Sequence, residues 1–83
     1  MTDPGLDVPH VTVTMRRAAD LVRDHRPASM TVEHADLLVE ILQAPRPERV
    51  VRAIRSAISS STDPAEQVVA IARTVAELGL EAS

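Results

Sequence analysis

The chain has 83 residues, a net charge of −3 and no cysteine, tryptophan, tyrosine or phenylalanine, although 45% of its residues are hydrophobic. These absences exclude thiol nucleophiles, cysteine metal sites, tyrosine acid–base chemistry and aromatic stacking on bases or cofactors. A chain of this length forms one domain with a small core. Without disulfides or a structural metal, we expect self-association, most simply as a twofold homodimer, to add burial.

The acidic charge balance argues against a general nucleic-acid or membrane-surface binder, because such domains usually carry an excess of positive charge. All nine Lys or Arg residues are arginine, a preference that fits a GC-rich bacterial or phage genome. No hydrophobic run approaches the roughly 18 to 20 residues of a membrane span, and the first residues lack the features of a signal peptide. We therefore expect a cytoplasmic protein of bacterial or phage origin.

The N-terminal part of the chain predicts a leader followed by one amphipathic helix. Residues 1–9 hold aspartate, proline and glycine with little to bury, which predicts a flexible leader. The β-branched alternation over residues 10–14 predicts a short strand or, equally, the first turn of the next helix. Apolar residues at helical spacing predict that helix over residues 15–25, with His25 as a capping or partly buried side chain. Residues 28–30 are expected to form a linker.

Two further helices are predicted over residues 31–44 and 47–59, separated by Pro45. Thr31 is a suitable N-cap for the first of them, and Pro47 suits the first position of the second. Aliphatic side chains cover more than half of the circumference of the helix over 31–44. We therefore expect it to be the most buried element.

The strongest local signal opens the last predicted helix, over residues 64–78. Residues 63–66 place an N-cap acid, a first-turn proline and a capping-box glutamate in their preferred order. Gly79 is expected to end this helix, with Leu80 packing back on it. Residues 10–83 therefore predict a single all-α domain, a small four-helix bundle. Its apolar faces are wider than the bundle needs to bury, so we expect part of them to contact a partner.

Four arginines on or just before the third predicted helix are the best candidates for a functional surface. They are Arg46, Arg49, Arg52 and Arg55. Guanidinium groups at this spacing could bind an acidic protein partner or successive phosphates of DNA. Because Glu48 precedes Arg52 by four residues and offsets part of the charge, a solvated face without a ligand is the favoured interpretation.

Glu33, Asp36 and Glu40 form an acidic stripe that spans about 60° of the second predicted helix. These carboxylates repel one another and share their helix with no arginine, so we expect a cationic group to face them. The predicted group is the arginine face of the third helix, in the same subunit or across a dimer. A divalent metal would lack a recognisable fourth ligand, and the three histidines have no metal-ligand spacing. No metal, cofactor or small-molecule site is therefore predicted.

The sequence contains no nucleophile elbow, glycine-rich phosphate loop or catalytic acid pair, so we expect a protein that is not an enzyme. The leading hypothesis is a small helical interaction or regulatory module that forms a homodimer, binds another protein, or does both. Two features of the sequence motivate this hypothesis. Acidic and basic residues are concentrated on different predicted helices, and the apolar faces are wider than four short helices need to bury.

The alternative hypothesis is a DNA-binding regulator. The second and third predicted helices could form a helix-turn-helix with the arginines in the major groove. In a second geometry, a strand over residues 10–14 followed by two helices resembles the element order of ribbon-helix-helix repressors. A small acidic chain would also suit an antitoxin-like regulator that binds DNA at one end and a protein at the other.

Overall fold

The computed structural model describes residues 13–80, and within this range the chain forms four α-helices and no strand. The helices are α1 (Val13–Asp24), α2 (Val32–Gln43), α3 (Glu48–Ser59) and α4 (Pro64–Glu77). The predicted four-helix fold is confirmed, with every helix end within two residues of its predicted position. Val13 and Thr14, which the strand prediction included, belong to α1, whereas residues 1–12 lie outside the described range. None of the described helices is long and apolar enough to cross a membrane.

α1 is the central helix of the fold, because it packs against each of the other three described helices. Its buried residues recur at helical spacing and are Met15, Ala18, Ala19 and Val22. Two of them are alanines, whose small side chains allow neighbouring helices to approach closely. α3 and α4 pack against each other and against α1, so the aliphatic core lies between α1 and this pair.

The prediction that α2 is the most buried element is wrong. α2 buries four residues, the same number as α1 and α3, and these are Ala35, Leu38, Ile41 and Leu42. Val39 is half-buried, while Val32 and Leu37 are 55% and 42% exposed. Because α1 is the only described helix that packs extensively on α2, one side of α2 is covered and the opposite side faces outward.

The loops before α2 and α3 confirm one predicted cap and the predicted linker, and correct two other predictions. Thr31 caps α2, since its Oγ1 accepts a hydrogen bond from His34 N at 3.1 Å. Pro47 is the N-cap residue of α3 and not its first helical residue. Met30 lies in the predicted linker between α1 and α2, and its side chain is buried in the core. His25 is exposed just after α1, so the partly buried alternative predicted for it is wrong.

The N-terminus of α4 confirms the predicted cap and shows how the capping glutamate is used. Asp63 Oδ1 accepts a hydrogen bond from Ala65 N at 3.3 Å. Glu66 does not contact the backbone of the cap directly. Asp63 N donates to Ser61 Oγ at 3.1 Å, and Ser61 Oγ donates to Glu66 Oε1 at 3.2 Å. The Ser61 hydroxyl therefore links the two ends of the capping box.

The C-terminus of α4 also follows the prediction. Gly79 follows the helix with a φ of 73°, a conformation that L side chains disfavour, and its N–H donates to Ala76 O at 3.0 Å. Leu80 then packs back against the core.

Two adjacent leucines of α2 test the orientation of this helix. Leu38 is fully buried, so Leu38→Ala is expected to lower the free energy of unfolding by about 2–5 kcal/mol. Leu37 lies on the outward side, so Leu37→Ala should cost less than about 1 kcal/mol. Urea denaturation followed by far-UV circular dichroism measures both variants, because the chain has no aromatic residue for fluorescence. Equal costs would contradict the described orientation of α2.

Candidate functional site

The outward side of α3 carries three of the four predicted arginines, and we call Arg49, Arg52 and Arg55 the arginine face. Arg52 Nη2 donates to Glu48 Oε2 at 2.7 Å. The side chains of this pair are 73% and 80% exposed, so the pair contributes little to stability. Arg49 makes no hydrogen bond or ion pair within residues 13–80. Three arginines against one glutamate leave α3 with a net charge of +2.

Arg55 and Arg46 make different contacts, and only Arg55 belongs to the arginine face. Arg55 places its Nε and Nη2 atoms 3.4 Å from the Thr14 hydroxyl of α1, a contact that leaves the guanidinium charge uncompensated. Arg46 is half-buried, and its Nε donates to Ile41 O at 3.3 Å near the C-terminus of α2. Arg46 therefore helps to cap α2 and is not part of the arginine face.

The acidic stripe of Glu33, Asp36 and Glu40 lies fully on the outward side of α2. None of these three carboxylates forms an ion pair within residues 13–80. α3 is not an extensive packing partner of α2, so the described part of the subunit does not bring the arginine face to the stripe. Pairing across a dimer stays a prediction.

Aliphatic side chains flank the acidic stripe on both sides. At 100° per residue, Leu37 lies beyond one edge of the stripe and Val32 beyond the other. Together with Gln43 these residues make up what we call the outward face of α2, namely Val32, Glu33, Asp36, Leu37, Glu40 and Gln43. This face therefore combines a single sign of charge with exposed aliphatic side chains.

A groove of about 390 Å³ runs between α1 and α2 beside this face, and the sequence did not predict it. Its apolar lining residues are Val22, Val32, Ala35 and Val39. Arg23 and Arg26 line one side and Asp36 and Glu40 the other, yet no ion pair crosses the groove. Arg23 and Arg26, the groove arginines, therefore line the same groove as two carboxylates of the stripe.

Both groove arginines have partners on their own side of the groove. Arg23 Nη1 lies 3.3 Å from Asp20 Oδ1, one turn earlier on α1. Arg26 Nη1 donates to the Met30 carbonyl in the α1–α2 loop. Neither groove arginine therefore pairs with Asp36 or Glu40 within residues 13–80.

The described residues show neither of two common signs of a ligand site. Within residues 13–80 no three His, Asp or Glu side chains come together as a metal site. In the same range no buried side-chain nitrogen or oxygen lacks a hydrogen-bond partner. The chain matches no known protein family, no curated protein and no solved structure.

Removing a carboxylate from the stripe tests whether it is paired within the subunit. Asp36→Ala and Glu40→Ala should leave the free energy of unfolding unchanged or raise it by up to about 0.5 kcal/mol, because like-charge repulsion falls. Glu48→Ala is the control and should lower stability by about 0.5 kcal/mol through loss of the Arg52 pair. Urea denaturation of dilute protein measures all three. A loss above about 1 kcal/mol at Asp36 would reveal a partner inside the subunit.

Proposed function

We propose that the chain is a non-enzymatic helical interaction or regulatory module that self-associates and binds protein through the outward face of α2. The observation that supports this proposal is that the face combines carboxylates that form no ion pair within the described residues with exposed aliphatic side chains. Three carboxylates without an ion pair in residues 13–80 lie between exposed aliphatic side chains.

The exposed aliphatic residues alone would not indicate a binding surface. Single exposed aliphatic residues are common on protein surfaces. Three like charges on one helix face, however, destabilise that helix unless a cation lies near them. A basic partner relieves the repulsion, and Val32 and Leu37 supply apolar area that becomes buried in the same contact. The face therefore gains from a partner in both charge and burial.

DNA binding is the alternative function, and the exposed positive charge of α3 supports it. Two features of the fold give it less support. A helix-turn-helix packs its two helices together, whereas α2 packs extensively only on α1 among the described helices. For the ribbon geometry, Val13 and Thr14 are helical and residues 10–12 lie outside the described range. Salt-sensitive NMR shifts confined to α3 on addition of duplex DNA would favour this alternative.

Polar substitution of the aliphatic residues on α2 tests the proposed surface. Val32→Gln/Leu37→Gln should weaken self-association at least about tenfold, because the interface loses its apolar area. Val69→Gln is the matched control, since Val69 is 40% exposed but lies on α4. Static light scattering across a dilution series measures the association of each variant.

The control should associate as the unmodified chain does. Two results would contradict the proposed function. In one, the unmodified chain stays monomeric over the whole dilution series. In the other, the α2 variant and the α4 control behave alike.

A further inference from the structure

We infer that the outward face of α2 binds the arginine face of α3 from a second copy of this chain. This inference names the partner in the self-association proposed above and rests on that proposal. It assigns the acidic stripe of α2 and the arginine face of α3 to one contact.

The two faces match in charge and in length. Along α2, the stripe runs from Glu33 to Glu40, seven residues or about 10.5 Å of helix axis at 1.5 Å per residue. Along α3, the arginines run from Arg49 to Arg55, six residues or about 9 Å. Three carboxylates and three guanidinium groups can therefore pair when the two helices lie side by side.

Aliphatic side chains can make contacts on both sides of this row of ion pairs. On α2, Val32 and Leu37 flank the stripe and are exposed. On α3, Ala53 and Ile58 flank the arginine face and are half-buried. Pairing the faces covers these side chains, so the contact combines a charged centre with apolar edges.

The arginine face is free to exchange its present contacts for this partner. Arg49 has no partner within residues 13–80. The Arg52 pair with Glu48 is solvent-exposed and weak, and Arg55 contacts only a neutral hydroxyl at 3.4 Å. Forming carboxylate pairs with these three arginines therefore breaks no buried interaction.

A second copy offers a complement to both faces, because each copy carries one acidic and one basic face. DNA bound to α3 would leave the α2 stripe unpaired, and a basic protein bound to α2 would leave the arginines unpaired. Within residues 13–80, nine arginines balance nine carboxylates, so two copies of this part of the chain carry no net charge to repel each other. Each copy offers one acidic and one basic face, and a twofold arrangement would use both faces of both copies.

Charge exchange between two variants tests this pairing. The acid-swap variant is Asp36→Arg/Glu40→Arg, and the base-swap variant is Arg49→Glu/Arg52→Glu. Each variant alone places like charges in the contact, so its self-association should weaken at least about tenfold. An equimolar mixture restores opposite charges at every α2–α3 contact and should recover the association of the unmodified chain. Light scattering measures the association, and far-UV circular dichroism checks that each variant stays helical.

The control for net charge is Asp24→Arg/Glu77→Arg, which makes the same charge change as the acid-swap variant at exposed positions on α1 and α4. It should associate as the unmodified chain does. If a swap variant loses helicity, the neutral variants Asp36→Asn/Glu40→Gln and Arg49→Gln/Arg52→Gln replace the swaps. Each should also weaken association.

Recovery in the mixture, with an unaffected control, supports the pairing of α2 with α3. Self-association of either swap variant at the unmodified level overturns it, as does a helical mixture that fails to recover. In these two cases the proposed function still stands if Val32→Gln/Leu37→Gln weakens association. A monomeric unmodified chain overturns the pairing and the proposed function together.

Discussion

The packing of α1 against all three other helices is the constraint on which the rest of the structure depends. The core contains no aromatic side chain, so burial comes from many small aliphatic contacts and requires close helix approach. Ala18 and Ala19 permit that approach at the centre of α1. α2 consequently buries one side, including Leu38 and Leu42, on the α1 side of the fold and leaves its other side outward.

This arrangement separates the charges of residues 13–80, which carry no net charge in total. α2 carries three carboxylates and no arginine, whereas α3 carries three arginines and one glutamate. Had α2 and α3 packed together, these charges could have paired within one subunit. Because α1 is the extensive partner of α2 among the described helices, the acidic stripe and the arginine face both stay exposed in residues 13–80.

Local sequence signals predicted the helix ends well, because Thr31, Asp63 and Gly79 act through hydrogen bonds and backbone conformation within one turn. Periodicity also identified the buried side of each helix. It could not show how many neighbours would cover α2, since its aliphatic arc is consistent with two partners or with one. The role of Arg46 was missed for a similar reason, because contact with the Ile41 carbonyl depends on the path of the α2–α3 loop. Function, bacterial or phage origin and cytoplasmic location stay predictions.

Paramagnetic relaxation between two copies tests the α2–α3 contact most directly. The chain has no cysteine, so Ser59→Cys, at an exposed position one turn past Arg55 at the end of α3, provides a single site for a nitroxide label beside the proposed contact. Spin-labelled protein without ¹⁵N is mixed with ¹⁵N-labelled unmodified protein, so all broadening is intermolecular. Pairing of α2 with α3 predicts broadened amide signals along the outward face of α2. Broadening confined to α1 or α4, or none at concentrations where light scattering shows association, would contradict it.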